Sequence, residues 1–339
     1  MDREILTTLV GAHPIPEWFT QVSGEQPLKD ATAVFLKSQE LAGATGLDLL
    51  VDGEFNRYDP DHPETDGKID YFVRQLQNIR TDLSRAEEKR FEELANMRFR
   101  NRPAGVVEGQ IGEGTLNLER DFLRGRQLTT RPLKFTLTSP YMLARTLVDR
   151  HYHSKEELVS ALADVLAGQV RDIDAEVIQI NEEHLPGNPA DGPWVADALN
   201  RIFAVVRRKS ALHMCFGNYG GQSVHQGRYA DLIEFINMLH VDHVLVEMSR
   251  RGPEELAALR DIKPAIRIGL GVVDVKSTVM ESAEEVARSI ERAVQSLGPG
   301  RLQYVTPDCG FWMHKRSVAE GKMNALVRGR DLFLRDRGD

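Results

Sequence analysis

Cysteine is scarce. The 339 residues hold two, Cys215 and Cys309, so no disulfide framework staples this chain, and a reducing compartment would keep both as thiols. Long hydrophobic runs are missing as well: no window approaches the ~20 apolar residues of a membrane span. The start, Met1-Asp2-Arg3-Glu4, lacks the basic-then-apolar pattern of a secretory signal, so a cytoplasmic location is expected. Positive charge is in deficit. With 43 Lys and Arg against 51 Asp and Glu, the net charge is -8, which gives no basic field to gather nucleic acid or an anionic membrane. A small-molecule partner is the expectation. No low-complexity or linker-like segment divides the chain, which predicts one domain over residues 1–339.

What is present is a repeated unit: a short aliphatic strand, a polar or glycine-containing loop, then an amphipathic helix. The strands fall at Ile5–Val10, Leu49–Val51, Leu133–Leu137, Val177–Ile180, Ala211–Met214, His243–Val246, Ile266–Leu270 and Leu302–Val305. Helix starts are marked by Ser154-Lys155-Glu156-Glu157 and Ser282-Ala283-Glu284-Glu285, which have the spacing of capping boxes. Aliphatic strands alternating with amphipathic helices imply a parallel sheet covered by helices, and eight such units predict an α/β fold of the TIM (β/α)8 type. Between the second and third of these strands lies an insertion at about 58–112, read as a charged helical stretch from Tyr71 to Arg100 and an extra strand at Val106–Ile111. The apolar positions of that stretch, Leu76, Ile79, Leu83, Phe91 and Leu94, suit an interface with a second copy of the chain or with a donor protein.

TIM barrels place their chemistry at the carboxyl ends of the strands, so the residues just beyond each aliphatic run are the candidates. His213 and Cys215 are two apart on one strand and share a face. Glu247 ends the next strand and Cys309 follows the last. One imidazole, two thiolates and a carboxylate around one barrel mouth form a donor set for tetrahedral zinc, and thiolates select zinc over magnesium or calcium. The alternative is structural: each cysteine a small buried hydrophobe and His213 a hydrogen-bonded core residue. Gly269-Leu270-Gly271 lacks the third glycine of a dinucleotide fingerprint.

Seven segments in order carry a resemblance: Thr8–Pro14, Val51–Arg57, Ile178–Glu182, His213–Cys215, Glu247–Arg250, Ile268–Asp274 and Thr306–Gly310. Together they resemble the catalytic, carboxyl-terminal barrel of cobalamin-independent methionine synthase, in its short single-barrel form. The resemblance implies a zinc ion on His213, Cys215, Glu247 and Cys309, and methyl transfer from methyltetrahydrofolate or methylcobalamin, free or protein-bound, to a zinc-bound thiolate such as homocysteine. It implies substrate contacts at Glu54 and at the positions of Ala12 and Asn181. From their places after the strands, His13 and Glu182 are further substrate-binding candidates, the alternative for His13 being rim packing, and Lys276 and Asp308 are catalytic candidates, the alternatives being a salt bridge and an ordinary loop acid.

The chain also departs from that pattern. Where the long synthases read the amino-acid group of homocysteine with a serine, a glutamate and an aspartate, this sequence has Ala12, Glu54 and Asn181, so one hydroxyl and one negative charge are missing. Thr146 stands near the place of an aromatic residue resembling a folate-stacking tryptophan, and Lys276 replaces a histidine. Lys276 could bind a donor carboxylate or a substrate sulfonate. The second case would make the protein similar to epoxyalkane:coenzyme M transferases, acting on another thiol such as coenzyme M. A non-catalytic, metal-free ligand-binding barrel is the rival from outside enzymology.

Overall fold

The computed structural model describes residues 5–22, 24–63, 65–95, 100 and 102–336. Its strands are β1 (Leu6–Thr7), β2 (Leu50–Val51), β3 (Gln77–Arg80), β4 (Gly105–Gly112), β5 (Leu133–Thr138), β6 (Leu147–Asp149), β7 (Val177–Glu182), β8 (Lys209–Met214), β9 (His243–Val246), β10 (Arg267–Val273) and β11 (Leu302–Pro307). Eight of them form one parallel sheet in the order β1-β11-β10-β9-β8-β7-β5-β2. A parallel bridge between Thr8 and Leu49 joins the two ends of that order, with the Thr8 hydroxyl donating to the Leu49 carbonyl at 2.9 Å. The sheet therefore curls into a TIM barrel, and the eight strands expected from the aliphatic runs are the eight that build it.

Side chains fill the barrel in layers, as close packing requires. Leu49, Val177, Ala211, Leu245 and Tyr304 form an apolar layer inside the ring. Above it Lys134 crosses the interior, donating to the Leu9 carbonyl and to Gln179 Oε1, while Gln179 Nε2 donates to the Val10 carbonyl at 2.8 Å. These bonds hold the turn after β1, where the first loop of the mouth begins. Outside the ring, the helices Lys155–Val170, Gly192–Phe203 and Ala283–Leu297 bury their aliphatic faces against the strands. Ser282 and Glu285 form a full capping box. Ser154 caps its helix through Glu157 N–H, but the Glu157 carboxylate takes the His153 N–H instead of completing the box.

The insertion differs from its expected form. No continuous helix spans 71–100: a single turn at Asp70–Val73 is followed by β3 and then by the helix Arg85–Ala95, and residues 96–99 lie outside the described residues. β3 pairs antiparallel with β4, and its second residue, Asn78, adopts a positive φ of 61° where the register shifts between Gln77 and Ile79. Helix-forming charged residues favoured the helical reading, but pairing with a partner some 30 residues away overrides local propensity. The extra strand is present as β4, and β6 adds to its other edge in parallel. Leu76 and Phe91, expected at an interface, are buried within the chain itself; the side chain of Leu94 lies outside the described residues. No helix among the described residues is long and apolar enough to cross a membrane.

Candidate active site

Strand alternation delivers the first pair of candidates. Ala211, His213 and Cys215 sit at alternate positions, so the parity that turns Ala211 into the apolar layer turns His213 and Cys215 inward at the mouth. Cys309 arrives from the loop after β11. Ligand atoms of His213, Cys215 and Cys309 all lie within 4.8 Å of one another, and all three residues are buried. The two sulfurs are 3.8 Å apart. Two thiolates bound at ~2.3 Å to one tetrahedral ion stand about 3.8 Å apart, whereas a disulfide needs ~2.05 Å. Among the described residues the His213 ring nitrogens meet no hydrogen-bond partner outside the cluster, where the imidazole faces Cys309, which leaves a lone pair for something else to take. The donor set thus fits zinc. A hydrogen bond from Cys215 holds the Cys309 thiol well below its ordinary range, against the opposing effect of burial and with help from His213 and Lys68. Cys215 is pushed up in turn by donating to Cys309 and by burial.

Glu247 directly follows β9, beside this cluster, but is engaged elsewhere. Its carboxylate meets Lys276 Nζ at 2.8 Å, Arg251 at 3.3 Å and the Phe216 N–H at 3.3 Å. Lys276 therefore serves as the counter-ion of Glu247, itself nearly buried at 4% side-chain exposure. Asp308 accepts the N–H groups of Met248 and Ser249 at 2.8 and 3.1 Å, fastening the loop that carries Glu247. Burial, aided by the Glu247 charge, raises the Asp308 carboxyl to about 7. Gly271 makes this approach possible: a Cβ there would lie 2.2 Å from Asp308 Oδ1.

A narrow cavity runs from His213, Cys215 and Cys309 past Asn181, Glu182 and Glu183. It opens into a cleft of about 760 Å³ between the barrel mouth and the insertion. Ala12, Glu54, Lys68 and Trp312 line both and stand at the junction. Glu54, in a left-handed conformation (φ 61°), pairs with Arg57 at 2.9 Å and accepts from Thr136 at 2.6 Å. Asn181 Oδ1 accepts from Gln179 at 2.7 Å. Glu182 Oε1 accepts the His184 and Leu185 N–H groups; burial raises this carboxyl to about 7, against the lowering effect of the Ser139 hydroxyl and those two N–H groups. His13 stacks on Phe35 at 3.9 Å and lines the cleft, its imidazole lowered to about 3 by burial and then by Arg316, hence neutral.

Two residues at this site were not singled out in the sequence. Glu183 Oε2 is 4.0 Å from Cys215 Sγ and 3.5 Å from Lys68 Nζ, and its Oε1 lies 3.3 Å from the Tyr219 hydroxyl. The doubled acid after β7 was the available signal. Lys68 comes from the insertion and has no signal of that kind: its position depends on the loop being fastened over the mouth, where Thr138 donates to the Lys68 carbonyl at 2.6 Å.

The arrangement defines a class: a (β/α)8 barrel enzyme with thiols and an imidazole converging at the end of the barrel where such folds keep their active sites. Sequence comparison narrows it. Residues 17–329 match the family of the cobalamin-independent synthase catalytic domain, and the chain belongs to that family. The family suggested by the seven segments is the family found. The methionine synthase of Thermococcus kodakarensis is 28% identical, covering 99% of this chain and 96% of its own. Those of Saccharolobus solfataricus and Pyrococcus furiosus are each 25% identical, over 95% and 97% of this chain and 93% of theirs. The fold matches a B12-independent methionine synthase from Shewanella sp. W3-18-1, solved in complex with selenomethionine, with a TM-score of 0.81 and 21% identity over 98% of both chains.

Proposed function

We propose that this protein is a zinc-dependent thiol S-methyltransferase that converts homocysteine to methionine. The observation that carries the reading is the convergence of His213, Cys215 and Cys309 at the barrel mouth with a tetrahedral-edge sulfur spacing of 3.8 Å, in a chain of this family. These three residues would hold the metal, with Glu247 as the fourth candidate ligand. Zinc bound there supplies the positive charge that keeps an acceptor thiol ionised near neutral pH.

The residues of the chain do the rest. The narrow cavity excludes bulk water from the acceptor and aims its sulfur toward the cleft, where the methyl donor has room. In the transfer a sulfur–carbon bond forms as the donor's bond to methyl breaks. With methyltetrahydrofolate the electron pair of that bond goes to nitrogen, which takes a proton; with methylcobalamin the pair stays on cobalt. The thiol proton is released to solvent. Lys276 neutralises Glu247, and Asp308 fixes the backbone on which Glu247 sits, so both are positioning residues in this account.

The test is turnover. Protein purified without chelator is incubated with homocysteine and either methyltetrahydrofolate or methylcobalamin, and methionine is quantified. Methionine from one donor, abolished by chelation and restored by zinc, supports the reading and names the donor. Absence of methionine with both donors from zinc-loaded protein would refute homocysteine as acceptor.

A further inference from the structure

The cation expected near the substrate, Lys276, is bound to Glu247 and lines neither the narrow cavity nor the cleft. Lys68 lines both. Its Nζ lies 5.1 Å from the centre of the Tyr219 ring and 5.4 Å from that of Trp312, so two aromatic faces hold the ammonium in place. Its side chain is 13% exposed. Burial by itself would lower its pKa, but Glu183, then Tyr219 and Asp66, lift it above the ordinary lysine range, so the group is charged.

An ammonium carries three N–H donors. Lys68 uses none in a hydrogen bond to a described residue; its nearest acid, Glu183, is 3.5 Å away. The backbone on either side is fixed. Lys68 N–H donates to Asp66 Oδ1 at 2.9 Å, Thr138 holds its carbonyl, and Tyr219 donates to Asp66 Oδ2 at 3.0 Å. A charged group whose ion pair with Glu183 is long, at 3.5 Å against 2.8 Å for Lys276 and Glu247, and which is locked at the junction of the two cavities, has donors to offer an anion.

Resting on the reading of this site as a thiol-acceptor site, we propose that Lys68 is its specificity residue, recognising the anionic head group of the acceptor, a carboxylate or a sulfonate. The acceptor then bridges the site, sulfur at His213, Cys215 and Cys309 and anion at Lys68. Ala12 and Asn181 add no charge there; Arg74, Arg100 and Arg102 of the insertion line the outer cleft, but among the described residues Lys68 is the lysine or arginine that also lines the narrow cavity, so discrimination falls on it.

The experiment uses thioether probes, which have no thiol to ionise and so report head-group recognition apart from methyl transfer. Isothermal titration of the purified protein with 3-(methylthio)propionate, 2-(methylthio)ethanesulfonate and neutral 3-(methylthio)propanol compares wild type with Lys68→Met and Lys68→Arg. Wild type binds at least one anionic probe more tightly than the alcohol. Lys68→Met loses that preference by roughly ten- to hundredfold, the scale of a charge-assisted hydrogen bond, with the alcohol unaffected, and Lys68→Arg keeps part of it. Whichever anion wild type prefers names the acceptor class. Equal binding of charged and neutral probes by wild type, or an anion preference that persists in Lys68→Met, overturns the proposal. A protein that shows the preference but makes no methionine leaves Lys68's role standing and refutes the methionine reading.

Discussion

At the scale of single residues, the most informative feature is what His213, Cys215 and Cys309 leave unsatisfied. A buried imidazole whose nitrogens meet no partner outside the cluster among the described residues, and two sulfurs 3.8 Å apart, are hard to rationalise as packing alone, and easy to rationalise as donors to one ion. Cys309→Ser should therefore lose tight zinc binding and methyl transfer while keeping its circular dichroism spectrum, because serine fills nearly the same volume. Glu182 offers a test of a different kind. Its carboxyl is fully buried, and burial raises it from the ordinary 4.5 to about 7. Between those values the folded chain binds the proton and the unfolded chain does not, so this group's contribution to stability is complete below about pH 4 and is lost as pH rises through about 7. Glu182→Gln, which keeps an acceptor for the His184 and Leu185 N–H groups, should be more stable than wild type at pH 8 by up to about 3 kcal/mol. Urea denaturation at pH 4 and pH 8 checks it: the advantage should vanish at the lower pH.

At the scale of elements, the barrel strands and the extra strand β4 were legible, and the rest of the insertion was not. Each barrel strand is buried on both faces, which writes an aliphatic run into the sequence; β5 is buried at every position. The residues that end those runs carry the site, so His213, Cys215, Glu247 and Cys309 could be picked from sequence. Fold position alone does not say which way a strand-end carboxylate turns. Glu247 turned to Lys276, and Glu183, one residue past the end of β7, reaches toward Cys215. The insertion defeated local reading because β3 gains its stability by pairing with β4, some 30 residues away. Lys68 was missed for the same reason: a loop takes its place from what it is fastened to. Strand β10 yields the prediction that belongs here. Gly271→Ala would drive a Cβ into Asp308, whose Oδ1 and Cα lie 2.2 and 2.9 Å from the built position. The expected cost is about 1–3 kcal/mol in thermal or chemical unfolding, with weaker zinc retention as the Glu247 loop is displaced.

At the scale of the whole molecule, we propose that barrel and insertion form one cooperative unit. The insertion is tied to the barrel by contacts at the mouth itself: Thr138 to the Lys68 carbonyl, and Tyr219 to Asp66. One unfolding transition, coincident by tryptophan fluorescence and circular dichroism, is the expected result; a separate early transition would show the insertion folding independently. The same architecture divides labour across the chain. The barrel supplies the sulfur and imidazole donors, the insertion supplies Lys68 and the far wall of the cleft, and the family's chemistry would take place where they meet. The measurement that bears most directly on this account is the zinc content of protein purified without chelator, determined in parallel for wild type and Cys309→Ser. The account predicts close to one zinc per chain in wild type and little in the variant. Wild-type protein that transfers methyl at full rate with no zinc bound would contradict it.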